Sequence, residues 1–181
     1  VYFIDNDEYF KRKAIFSDED DQLFSDNDER AIFFAKGVVE TVKKLNWAPD
    51  IIHVHGWMAS LLPLYIKEYY SDEPLFSESK IITSVYNKDF EGELNSDLAE
   101  KIKFDKISDD KIQVLKEPNY TNIIKSAVSN SDAIVQGSHE IPEEISEEIE
   151  KTDIPALSYQ EEDSFESYLN FYQELISEEK T

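Results

Sequence analysis

Short apolar runs separated by helix-patterned stretches constrain this chain more than any other feature. Residues 51–56 (Ile-Ile-His-Val-His-Gly), 80–86 and 133–136 are too short for helices and are bounded by polar or turn-forming residues. Longer stretches with a helical period lie between them. Asp26, Asn27, Asp28 and Glu29 supply N-cap candidates and first-turn acids for a helix to about residue 45. Phe34, Val38, Val42 and Leu45 would share one face of it, with Ala31 and Ala35 beside them. Residues 57–70 predict a second helix with Pro63 near its first turn, where proline is tolerated. Residues 120–129, 141–151 and 163–177 predict three more, and residues 95–104 a short one. Residues 1–4 read as a strand, residues 5–26 as a long loop with room for one helical turn, and residues 155–158 as a further short strand. Short strands alternating with helices argue for an α/β fold with a parallel sheet.

The chain has 181 residues, enough for one domain with a single core. No apolar run approaches the roughly 18 residues a membrane span needs. No basic segment precedes an apolar one at the start, so no signal peptide is read. The opening on Val1, inside an apolar run, is expected of a fragment. With no cysteine, disulfides, thiolate catalysis and cysteine-bound zinc are excluded, and a cytoplasmic setting is expected. Forty acidic residues against 18 basic ones give a net charge of -22. Such a chain is not expected to bind nucleic acid, whose affinity comes from neutralising phosphates, nor an anionic membrane surface. A neutral ligand is indifferent to that charge.

Two of the three histidines, His53 and His55, fall on one predicted strand. Positions i and i+2 point to the same side, and the C-terminal end of a parallel strand faces the ligand crevice. Gly56 permits a tight exit, and Trp57 offers a flat apolar face. Three readings stay open from spacing alone: hydrogen-bonded parts of a strand–helix junction, a sugar or phosphate crevice, or a metal site completed by His139 or carboxylates. The acidic run 18–21 lacks the glycine and final glutamate of a calcium loop. The four glycines, Gly37, Gly56, Gly92 and Gly137, are too dispersed to cradle a phosphate. Phe165, Tyr168, Leu169, Tyr172 and Leu175 are spaced as a packing face.

His53-Val54-His55-Gly56-Trp57, followed by Ala59 and residues 61–65, resembles the His-x-His-Asp-Trp segment and following helix of glycogen and starch synthases, glycosyltransferase family 5. Further segments agree in order. They are residues 1–6 with Tyr9 to Arg12, then Asp26-Asn27 with Arg30 and Phe33 or Phe34, then Pro49 to His53. Ser84-Val85-Tyr86-Asn87 with Phe90 and Gly92 follows, and last Ser131 to Val135 with Ser138, Glu144 and Ile145. The resemblance covers about residues 1–147. Three departures stand out: Gly56 replaces the family's aspartate, Tyr86 its histidine before the asparagine, and Ser126-Ala127 its glycine pair. The family's Lys-x-Gly-Gly-Leu donor loop and its C-terminal donor domain have no counterpart.

The resemblance implies a Rossmann-like parallel sheet flanked by helices, one half of a GT-B glycosyltransferase, with residues 1–181 as a single acceptor-side domain. It implies glucose transfer from ADP-glucose to an α-1,4-glucan, with no metal or other cofactor. It places His55 as the catalytic residue beside the transferred glucose. His53, Trp57, Asp26 and Asn27 become substrate contacts. The alternative it leaves open is a catalytically inactive glucan-binding or regulatory module.

Overall fold

The structure is a computed structural model that describes residues 2–161 and 165–177. Strands β1 (Ile51–His55), β2 (Lys80–Val85), β3 (Ala133–Gln136) and β4 (Ala156–Leu157) lie side by side in chain order. Every neighbouring pair is parallel, so each connection must cross over the sheet. Helical segments between the strands make the crossings, and further helices precede β1 and follow β4. In chain order they are α1 (Asp7–Phe10), α2 (Asn27–Leu45), α3 (Leu62–Leu64), α4 (Leu98–Phe104), α5 (Asp109–Ile112), α6 (Tyr120–Ser129), α7 (Glu143–Lys151) and α8 (Phe165–Ser177).

The strands are buried on both faces, which is why they read as near-continuous apolar runs. Val54, Ile81, Val85 and Ile134 point into a large core that α2, α3, α4, α6 and α7 complete. The alternate residues Ile82, Ala133 and Val135 point the other way, onto Phe171 and Leu175 of α8. These are the buried side chains of α8. Burial of each is worth about 1.5–3 kcal/mol, and the partly buried Tyr168 and Tyr172 pack beside them. No helix among the described residues is long and apolar enough to cross a membrane.

Several expected elements differ in detail. Residues 2–4 form no strand; Ile4 instead packs on Gly37, where a Cβ would meet its Cγ2 at 3.2 Å. Residue 1 lies outside the described residues. Helix α2 buries Ala31, Ala35 and Val39 most deeply, while Val38 and Val42 of the expected face pack only partly against the core and Leu45 is 41% exposed. Small side chains let the helix approach its neighbours closely, and the bulkier residues flank that line.

The expected helix over residues 57–70 is interrupted. A 3-10 turn over Trp57–Ala59 leads to α3 and then to a π-helical turn over Tyr65–Tyr69. There the Tyr70 amide donates to the Tyr65 carbonyl at 2.9 Å, one residue further back than an α-helix allows. The region around residues 95–104 holds α4, followed by α5 and a 3-10 turn over Gln113–Lys116 that the weak sequence pattern did not reveal. Residues 163–164 of the predicted last helix lie outside the described residues, and α8 occupies the remainder.

The close approach of α2 sets an expectation. Ala35→Leu inserts bulk where the residue is wholly buried and should destabilise by about 1–3 kcal/mol. Leu45→Ser should fall within about 0.5 kcal/mol of the parent. Urea denaturation of both variants checks this, and the reverse order would restore the Phe34 face as the core face.

Candidate functional site

The histidine pair sits where the parity of β1 puts it. His53 pairs in register with Ile82 and His55 with Ser84, so both rings lie on the α8 face of the sheet. Their centroids are 4.1 Å apart. The strand is parallel to its neighbour, and the pair occupies its C-terminal end, as expected.

Neutral hydroxyls surround the pair. His53 Nδ1 lies 2.6 Å from the Tyr172 hydroxyl, and its Nε2 lies 2.8 Å from Ser84 Oγ. His55 Nδ1 lies 2.7 Å from the Tyr86 hydroxyl. Each hydroxyl can donate or accept, so either tautomer of a neutral imidazole is satisfied. Burial lowers the pKa of both rings; for His53 the neighbouring His55 adds to the effect and brings it to about 4. Both are therefore neutral near pH 7. Burial raises the Tyr86 and Tyr172 phenols, so these stay protonated as well. The cluster can bind and orient hydroxyls, but it carries no fixed charge of its own.

The backbone around the site explains its shape. Gly56 leaves β1 at φ 74 and ψ 157, a combination essentially reserved for glycine. No atom would obstruct a Cβ there, so the requirement is conformational. That exit turns the chain from the histidine face into the main core. At Gly137 the requirement is steric: a Cβ would stand 2.4 Å from Cε1 of Tyr86. The bare Gly137 backbone thus lets the Tyr86 ring settle against it. The Gly137 amide bonds the Val85 carbonyl at 2.7 Å, and the Tyr120 hydroxyl holds the Tyr86 carbonyl at 3.1 Å.

The other site candidates lie elsewhere or act indirectly. Trp57 is only 1% exposed, with Phe16 at 4.8 Å and Phe90 at 5.1 Å between ring centroids. The expectation that it offers a flat face to a sugar is corrected here: the Gly56 exit drives the indole into the core, where it supports the strand end from behind. Asp26 precedes α2 but makes no side-chain cap bond. Its carboxylate instead takes two bonds from the Arg12 guanidinium, which holds its pKa below the ordinary range.

Asn27 is wholly buried, accepting from Arg30 at 2.6 Å and donating to the Phe16 carbonyl at 2.8 Å. Its link towards the histidine strand runs through Phe16, whose ring packs on Trp57. His139 stacks edge-on to Tyr159, apart from the pair. Among the described residues no group of three or more His, Cys, Asp or Glu converges as a metal ion would need.

Sequence reasoning missed the partners Ser84, Tyr86 and Tyr172. The first two were within its reach, since Ser84 and Tyr86 share the i, i+2 spacing of the histidines on the next run. Tyr172 carried no signal beyond helical packing. A cavity of about 890 Å³ between α2 and α4, lined by Tyr9, Phe33, Lys36, Lys101 and Phe104 among others, also lies away from the histidines.

Comparison with known proteins agrees with the resemblance. The model of the starch synthase catalytic domain family matches residues 1–157. The glycogen synthase of Chlorobium luteolum is 36% identical over 141 residues, covering 76% of this chain and 28% of that protein. That of Chlorobium phaeovibrioides is 33% identical over 149 residues, 82% of this chain and 30% of that protein. That of Vibrio parahaemolyticus is 34% identical over 129 residues, 71% of this chain and 24% of that protein. The chain therefore spans less than a third of the length of these curated relatives.

Two outcomes follow from the geometry. An unfolded histidine takes a proton near 6.5, whereas folded His53 resists until about 4. Its contribution to stability is thus fully present above about 6.5 and is lost as pH falls towards 4. The stability difference between the parent and His53→Gln, from denaturant curves at pH 7 and pH 5, should shrink at the lower pH; a constant difference contradicts the low pKa. Gly56→Asp restores the residue of the resembled family but should cost about 1–3 kcal/mol in this backbone conformation. Thermal melting measures it, and an unchanged midpoint would show that the strand exit tolerates a side chain.

Proposed function

The chain belongs to the starch synthase catalytic domain family, and from that membership we propose that its histidine pair forms the acceptor-side sugar site of a glucosyltransferase that extends an α-1,4-glucan from ADP-glucose. The observation that carries the reading is the pair itself. Two neutral imidazoles stand 4.1 Å apart at the open end of a parallel sheet, among hydroxyl groups. His55 is the exposed member, and its Nε2 takes no bond from the described residues. It is the group placed to hydrogen-bond a glucose hydroxyl and to stabilise charge developing at the sugar. His53 is the second sugar contact of the pair, with both of its nitrogens bonded within the chain in this structure, and Trp57 supports the strand end. Asp26 and Asn27 act through the Phe16 segment that they anchor.

The partners of both imidazoles are uncharged, so nothing in this cluster neutralises a diphosphate. The donor is then held by groups other than this cluster, as a second domain would supply. We place the activity in the soluble cytoplasm, where a nucleotide sugar is at hand. A non-catalytic glucan-binding module is the less favoured reading, since the relatives are glycogen synthases by name.

Titration of the labelled chain with maltoheptaose, followed by NMR, tests the site. Shifts should centre on residues 53–57 with a dissociation constant near 1 mM, about 4 kcal/mol of binding free energy, and should be lost in His55→Ala. The same chain mixed with radiolabelled ADP-glucose and glycogen should transfer no glucose above a blank. Absence of shifts at several times that concentration, in a folded sample, overturns the glucan site; transfer abolished by His55→Ala overturns the need for a separate donor site.

A further inference from the structure

Helix α8 lies beyond residues 1–157, the stretch matched by the family model, yet it reaches the histidine pair. Tyr172 places its hydroxyl 2.6 Å from His53 Nδ1, with the two rings edge-on at 5.7 Å. Tyr168, one turn earlier, stands edge-on to Tyr172 at 6.4 Å and is close enough to Tyr86 to act on its ionisation. Ser84 bonds His53 Nε2 at 2.8 Å from the other side. The Tyr172 hydroxyl of α8 therefore covers the pair on its His53 side.

We propose that α8 is a built-in cover of the sugar site, in which the Tyr172 hydroxyl occupies the place of a glucan hydroxyl on His53 and must withdraw for the ligand to engage both imidazoles. The ligand class rests on the glucan reading above; the cover itself does not. With α8 seated, both nitrogens of His53 are satisfied within the chain. Only His55 Nε2 then remains open among the nitrogens of the pair, counting bonds from the described residues. Withdrawal of Tyr172 adds His53 Nδ1, and two imidazoles on one side of a sheet edge can address two hydroxyls of one sugar.

The exchange is balanced. A phenolic hydroxyl leaves and an alcoholic hydroxyl takes its place, so no buried nitrogen is left without a partner. The footing of α8 is limited enough for displacement: Phe171 and Leu175 are buried and Tyr168 and Tyr172 pack beside them half-buried, whereas Phe165 is 79% and Leu169 54% exposed.

Tyr172→Ala in the full chain removes the plug, and Tyr172→Phe keeps the ring and removes only the hydroxyl. Two readouts separate the cover from the ligand. In the first, NMR titration of the imidazoles, His53 titrates at about 4 in the parent. Water admitted by Tyr172→Ala should move it up by about one unit or more, because burial is the main cause of its low value. A folded Tyr172→Ala protein whose His53 still titrates at the parent value overturns the cover.

In the second, maltoheptaose affinity should rise about five-fold or more in Tyr172→Ala and about two-fold in Tyr172→Phe, as the fraction of uncovered sites grows. Equal or weaker binding by both variants than by the parent overturns the cover. If Tyr172→Ala does not fold, Tyr172→Phe decides by its affinity alone. Absence of maltoheptaose binding in every protein overturns the glucan reading, and the imidazole titration then judges the cover by itself.

Discussion

The site depends on the parity of a five-residue strand and on the glycine that ends it. Because β1 pairs in parallel register with β2, His53 and His55 fall on the face opposite Val54, and Ser84 falls beside them. The positive φ of Gly56 then sends the next residue across to the main core. Without that reversal Trp57 could not lodge between Phe16 and Phe90, and the loop that carries Phe16 would lose one of its anchors. One backbone conformation thus divides an apparently continuous motif: polar partners on one side of the sheet, structural aromatic on the other. It also gives the glycine, where the resembled family has aspartate, a conformational reason.

A second set of interactions holds the N-terminal region to this frame. Arg12 joins Asp26, and Asn27 joins Arg30 to the Phe16 carbonyl. Arg30 lies over the rings of Phe10 and Phe24, and Lys101 of α4 reaches Asp28 and Glu29. Buried charges persist only when paired or hydrogen-bonded, and here they share partners across α1, α2 and α4. The acidity of the chain is therefore not uniform solvation. Most carboxylates face water, while Asp26, Asp28 and Asp105 tie separate elements together.

Electrostatically, the histidine cluster differs from this hub. Its members are neutral, and their hydrogen bonds can run in either direction. Neutral, reversible donors suit a ligand made of hydroxyls, for which a fixed charge would have to be desolvated without compensation. The same property lets a protein hydroxyl, that of Tyr172, stand in for a ligand hydroxyl.

The sequence by itself determined the α/β class, the three principal strands, helices α2 and α6, and the placing of both histidines on one side of a strand end. These follow from local periodicity, which a pleated strand or an α-helix imposes on any chain. Family membership was also legible, because ordered motifs survive where contacts do not show. Tertiary structure alone decided which face of α2 is core, since Ala31 and Ala35 win by allowing close approach rather than by hydrophobicity. It alone buried Trp57, through a backbone angle that no composition reveals. It alone brought Tyr172 to His53 across 119 positions of sequence, because such a contact depends on how α8 docks on the sheet, and docking is set by shape across the whole fold rather than by any local pattern.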